Sequence, residues 1–187
     1  MRLPVAMVLG VMLLAPLTSV GQPVTLHDVP NTNGKWQEAR GLVEAPRNAV
    51  QAWLTDYTSW PYIFSDVEWV QVMKHEGKVT VFMMRSRAFK RRLEIRIQST
   101  PDGLVYEGKD GCIRTEGKIF LTSAGTRATD VTIQNVAHIS GFLGAIVPKG
   151  AVRDRQRAKL RIDLTDLQRL ARRRLLAGRT AEARANE

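Results

Sequence analysis

From Val67 to Ala137 the chain alternates between extended, period-two segments and turns of a few residues, and this spacing constrains the fold most tightly. A parallel strand pair needs a crossover of a dozen residues or more, so these segments must pair with antiparallel neighbours. The segments are Val67 to Met73, Val79 to Ser86, Arg92 to Ser99, Leu104 to Lys109, Cys112 to Leu121 and Thr126 to Ala137. His75-Glu76-Gly77-Lys78, Pro101-Asp102-Gly103, Asp110-Gly111 and Ser123-Ala124-Gly125 supply the turn chemistry between them. Alternation is cleanest in Arg92 to Ser99, where Leu93, Ile95 and Ile97 oppose Glu94, Arg96 and Gln98. In the first two segments both faces are bulky; the pattern groups Val67, Trp69, Gln71 and Met73, then Val79, Val81, Met83 and Arg85.

The segment before the sheet, Val43 to Phe64, reads as a strand end, a helix started by Pro46 and a second short helical turn broken at Pro61. Proline suits a first helical turn because its missing N–H would have no partner there, and Val50, Trp53 and Leu54 form one apolar stripe. Strand one is placed at about Lys35 to Ala45. After the sheet, one long amphipathic helix starts near Pro148, with Val152, Leu160, Leu164, Leu167 and Ala171 on its stripe and Arg153, Arg157, Arg161 and Arg172 largely off it. Ile162 falls outside the stripe and either widens the buried face or marks a contact surface.

The start of the chain, with Arg2, an apolar Leu3 to Leu17 and small residues at Ser19-Val20-Gly21, has the form of a secretory signal peptide. Its apolar run is shorter than the roughly 18 residues of a spanning helix. Cleavage after Gly21 is the first reading and an uncleaved anchor the second. The expected organisation is residues 1–21 signal peptide, 22–34 extension, 35–176 one α+β domain and 177–187 a flexible tail. One cysteine, Cys112, excludes an internal disulfide, and without a local base it reads as a buried structural thiol. His27, His75 and His138 show no metal-ligand spacing. The sequence has no nucleophile elbow, phosphate loop or metal cluster, so it assigns no catalytic residue, metal or cofactor. Asp56 and Tyr57, at a helix end, read as turn residues rather than acid and base.

The element order, the Ala45-Pro46 helix start, the Asp56-Tyr57 to Pro61 segment and the Gly117 strand before a Gly125-Thr126 turn together resemble the START-like superfamily, also called SRPBCC or Bet v 1-like. The likeness is strongest to its polyketide-cyclase and coenzyme-Q-binding branch and covers about residues 35 to 173. One departure stands out: many relatives have Trp after this glycine, where the chain reads Gly117-Lys118-Ile119. The resemblance implies a helix-grip fold, a curved antiparallel sheet of about seven strands wrapping the C-terminal helix, with two short helices after strand one. It also implies an apolar cavity between sheet and helix, of the kind that holds lipids, quinones, sterols or polyketides.

The expected lining is Trp69, Met83, Leu93, Ile95, Tyr106, Ile119, Ile133 and Leu160. Arg85 and Asn135 are the polar members, suited to an anionic head group and to a carbonyl or hydroxyl. A one-residue slip in register would turn either outward. The net charge of +10 concentrates in Arg85, Arg87, Lys90, Arg91 and Arg92 around Phe89, and again from Lys149 to Arg174. For an exported chain this suggests an anionic membrane surface met by Arg87, Phe89, Lys90, Arg91 and Arg92 rather than nucleic acid. The expected function is a periplasmic binding protein for a hydrophobic small molecule or lipid. A cyclase-like enzyme acting in the same cavity and a basic membrane-surface module are the alternatives. Ligand identity and oligomeric state are left open.

Overall fold

The computed structural model describes residues 23–87 and 90–185, so the expected leader 1–21 and Phe89 lie outside the described residues. Eight strands form one antiparallel sheet: β1 (Thr25–Asp28), β2 (Gln37–Val43), β3 (Val67–Glu76), β4 (Val79–Ser86), β5 (Arg92–Thr100), β6 (Gly103–Asp110), β7 (Ile113–Ser123) and β8 (Thr129–Ile139). Their order across the sheet is β1-β2-β8-β7-β6-β5-β4-β3. Helices α1 (Arg47–Thr55) and α2 (Trp60–Ile63), with a 3-10 turn at Tyr57–Ser59 between them, connect β2 to β3. A short α3 (Gly141–Ile146) precedes the long α4 (Lys149–Ala185), which packs on β2 and β8. This is the expected helix grip, with one strand more than the seven anticipated. The extra strand is β1, in the stretch read as an extension, and it covers the edge of β2. Neither β1 nor α3 has enough hydrophobic periodicity to show in the sequence.

The core lies between sheet and helix. Leu160, Leu164, Leu167 and Ala171 of α4 are buried against Ala39, Val43, Ile97, Leu121, Val131 and Ile133, among others. Each fully buried leucine side chain stabilises the fold by roughly 1.5–3 kcal/mol. Polar ties fix the helix at both ends of this contact. Arg157 donates to Gln37 Oε1 at 2.6 Å and Asp28 Oδ1 at 2.9 Å, while Gln168 Nε2 donates to Leu42 O at 3.0 Å. On the other side Asp166 Oδ2 accepts from Ser65 N and Ser65 Oγ at 2.7 and 2.8 Å. The α1–α2 segment is held by an aromatic cluster in which Tyr57 stacks on Phe82 and Trp60 meets Tyr57, Phe64 and Phe82 edge-on. Asp56 accepts hydrogen bonds from Thr58 and Ser59 hydroxyls at 2.9 and 2.6 Å, as a turn residue does.

Three expectations need correcting. The C-terminal helix passes through Gly178 to Ala185, because one glycine among Ala, Glu and Arg costs only about 1 kcal/mol of helix propensity. Cys112 is half-buried beside a turn rather than buried. The register of β3 shifts between Val67 and Trp69, so these two residues, two apart, face opposite sides of the sheet. Val67 is buried opposite Ser86, whereas Trp69 pairs with Arg85 on the outer face.

Candidate functional site

Sheet and helix enclose a cavity of about 510 Å³. Most of its surface comes from aliphatic and aromatic side chains on alternate positions of β4 to β8 and on the inner face of α4. Of the residues expected there, Leu93, Ile95, Tyr106, Ile119, Ile133, Asn135 and Leu160 line it. Trp69, Met83 and Arg85 do not. In β4 the inward set is Thr80, Phe82, Met84 and Ser86, all buried, which puts Met83 and Arg85 on the convex surface. Both faces of this strand are bulky, so alternation alone does not choose between them. The β3 bulge sends Trp69 out with them. There Arg85 pairs with Glu68 at 3.3 Å, and the Arg92 guanidinium sits 5.9 Å from the Trp69 ring centroid.

The basic hairpin is likewise divided. Arg91 reaches into the cavity lining and pairs with Asp110 at 3.2 Å, Arg92 stacks on Trp69, and Arg87 donates to Val67 O at 3.3 Å. Lys90 is exposed, at a turn position with positive φ. Phe89, which was to sit between these cations, lies outside the described residues.

The cavity is mostly apolar; Arg91 and Arg155 also line it, and a polar band crosses it from sheet to helix. Tyr106 on β6 lies across Gly117 on β7, so closely that a Cβ on Gly117 would be 2.2 Å from the ring. This position brings its hydroxyl to Asn135 on β8, whose Nδ2 donates to Tyr106 Oη at 2.9 Å and to Thr115 Oγ1 at 2.8 Å. Asn135 Oδ1 in turn accepts from Gln156 Nε2 of α4 at 3.3 Å. One turn further along the helix, Lys159 Nζ lies 2.5 Å from Asp163 Oδ1 and 3.6 Å from Asp66 Oδ2. Asp66 also accepts from Ser86 Oγ at 3.1 Å. Asn135, expected to contact a ligand, lines the cavity with both its amide hydrogens and its carbonyl oxygen hydrogen-bonded to neighbours in the wall.

The electrostatics follow from this enclosure. Burial pushes the Tyr106 phenol up to about 12, against the Asn135 hydrogen bond and the Lys159 charge, so it is a neutral donor at physiological pH. Burial opposes the Lys159 charge, but Asp163 and Asp66 outweigh it and hold the ammonium above the usual lysine range. Burial also pushes the Asp163 carboxyl up, with Lys159 pulling it back. Among the described residues no group of His, Cys, Asp and Glu is placed to hold a metal ion.

Sequence reasoning missed Asp66, Gln156, Lys159 and Asp163. A signal existed for three of them, since Gln156, Lys159 and Asp163 fall within the stripe that runs from Val152 to Ala171. A polar side chain on a buried stripe needs a partner or a ligand. Asp66, at the mouth of β3, gives no such periodic sign.

No protein-family model and no curated protein sequence matches the chain. Solved structures do. The Zhui aromatase/cyclase from Streptomyces sp. R1128 superposes with TM-score 0.63 at 17% identity, over 75% of this chain and 94% of that one. A START superfamily protein from Mycobacterium smegmatis gives 0.64 at 10% identity, over 74% and 97%. A STAR-related lipid transfer protein fragment from Xanthomonas axonopodis gives 0.60 at 18%, over 80% and 92%. At these identities the likeness is one of fold: the chain has the START-like helix-grip architecture.

Proposed function

We propose that the protein is an exported, periplasmic binding protein that holds one hydrophobic small molecule or lipid-like ligand between its sheet and α4. The observation behind this reading is the cavity itself, about 510 Å³ in volume, mostly apolar in its lining and crossed by a band of polar groups. Ligand sites commonly have that size and that ratio of apolar wall to orienting polar groups. Two structural neighbours are titled as a START superfamily protein and a STAR-related lipid transfer protein, which agrees with a carrier. Export rests on the leader-like residues 1–21 of the sequence. Protein purified from the periplasm of its own host is expected to release an apolar compound on organic extraction, and native mass spectrometry to show the matching adduct. Repeated preparations carrying the bare chain alone would refute the carrier reading.

A second reading is favoured by the same polar band. The cavity is not wholly apolar, and Tyr106, Lys159 and Asp163 bring a neutral acid, an ammonium and a carboxyl to its wall. A cyclase-like enzyme acting on the held ligand would use such groups, and one neighbour is titled an aromatase/cyclase. Under this reading the extracted compound, or its precursor, is converted on incubation with purified protein and not with a Lys159→Met variant. Unchanged recovery of every candidate would remove it.

A further inference from the structure

Ile162 is not part of the buried stripe of α4: it is 42% exposed, and Leu176, further along the same helix, is 62% exposed. Ile162, Thr165, Arg169, Arg172, Leu176 and Arg179 follow one another at alternating spacings of three and four, so they stand in one row along the helix, on its solvent side. Arg161 and Arg173 flank the row, which gives this face five guanidinium groups over about 25 Å of helix. The carboxylates of the stretch are turned inward. Asp163 faces Lys159 in the cavity wall and Asp166 accepts from Ser65. Of the five arginines only Arg169 has a carboxylate partner among the described residues, Asp166 at 2.6 Å. The hairpin between β4 and β5 differs, with Arg91 paired to Asp110, Arg92 stacked on Trp69 and Arg87 bonded to Val67 O.

We propose that this face of α4 docks the protein on an anionic phospholipid bilayer, with the arginines at the phosphates and Ile162 and Leu176 at the start of the acyl chains. It stands apart from the container reading, since docking does not require an occupied cavity. A guanidinium meets phosphate oxygens with two parallel N–H bonds, and each basic residue at an anionic surface raises partitioning about fivefold. Charge alone suits a nucleic acid equally well. The aliphatic pair favours lipid: a duplex backbone takes the arginines and leaves Ile162 and Leu176 in water, and a single strand stacks on aromatic rings, which this row lacks. A bilayer takes both kinds of side chain at once, because phosphates and first methylenes lie within about 5–10 Å of depth.

Vesicle co-sedimentation tests this with protein purified from its own host, on phosphatidylcholine alone and on an equimolar mixture with phosphatidylglycerol. The mixed vesicles are expected to bind at least about tenfold more tightly, and Arg172→Glu together with Arg179→Glu to remove that preference. Arg179 is exposed and Arg172 half-buried, and thermal melting shows whether the double variant keeps its fold. Ile162→Ser together with Leu176→Ser keeps every charge. This pair should weaken binding to mixed vesicles about tenfold and leave retention on heparin unchanged. Lys90→Glu, on the exposed hairpin, should change vesicle affinity by less than about threefold. Equal binding of the unaltered protein to the two vesicles, or a folded arginine variant that binds as before, overturns the proposal. Serine variants that bind mixed vesicles like the unaltered protein reveal a bare polyanion site, of the kind a nucleic acid or acidic protein fits, and also overturn it. A loss with Lys90→Glu as large as with the arginine pair moves the contact to the hairpin, which overturns it as well.

Discussion

Gly117 sits where it does because a phenol ring occupies the place of a β-carbon. With Cζ and Oη of Tyr106 only 2.2 and 2.4 Å from where that carbon would lie, alanine there must push the ring aside. We expect Gly117→Ala to cost about 1–3 kcal/mol, read as a lower denaturation midpoint. The sequence flagged this position only as a departure, a glycine not followed by the tryptophan of many relatives. Distance to the ring is a tertiary fact that periodicity does not encode. Tyr106 itself makes a pH prediction. Its phenol stays neutral in the fold up to about 12, whereas an unfolded tyrosine ionises near 10. The stability this contributes is fully present below pH 10 and is lost as pH rises to about 12, at most about 2–3 kcal/mol. Ultraviolet titration should show a late phenolate step that is missing in Tyr106→Phe; a fully titrated protein by pH 10.5 would contradict the enclosure described here.

Among the elements, α4 was the most legible and β4 the least. A helix long enough to repeat its stripe several times averages out local exceptions, so Leu160, Leu164, Leu167 and Ala171 were placed correctly and are buried. β4 has eight residues, apolar bulk on both faces and a bulged neighbour, and its alternation pointed the wrong way for Met83 and Arg85. Cleaner alternation in β5 placed Leu93 and Ile95 on the cavity wall. The grip of α4 can be tested at one contact. Leu164 is fully buried, and a Cβ on Gly41 of β2 would approach its Cδ2 to 3.1 Å. Leu164→Ala should destabilise the protein by about 2–5 kcal/mol in urea denaturation. A loss under about 1 kcal/mol would mean that the helix is not packed on β2 in solution.

Taken whole, the molecule is larger than its core. Beyond Arg172 the side chains of α4 are exposed through residue 181, so its last part projects from the domain by about 20 Å at the ordinary helical rise. Deleting residues 177–187 should therefore leave the melting temperature unchanged, within the roughly 0.5 kcal/mol of a neutral surface change, while reducing the helical circular dichroism. A drop of several degrees would show that the projecting turns pack on something. The strand order has a different consequence, one of timing. β2 pairs with β1 on one side and β8 on the other, Val43 with Thr129 and Gln37 with Asn135. A chain made from its N-terminus must therefore keep β2 waiting until residues some ninety positions later have appeared. The hairpins from β3 to β7 can zip as they emerge, because their partners are adjacent in sequence. Closing the β2–β8 seam is the late, loop-spanning step, and only then does α4 have a complete wall to settle on.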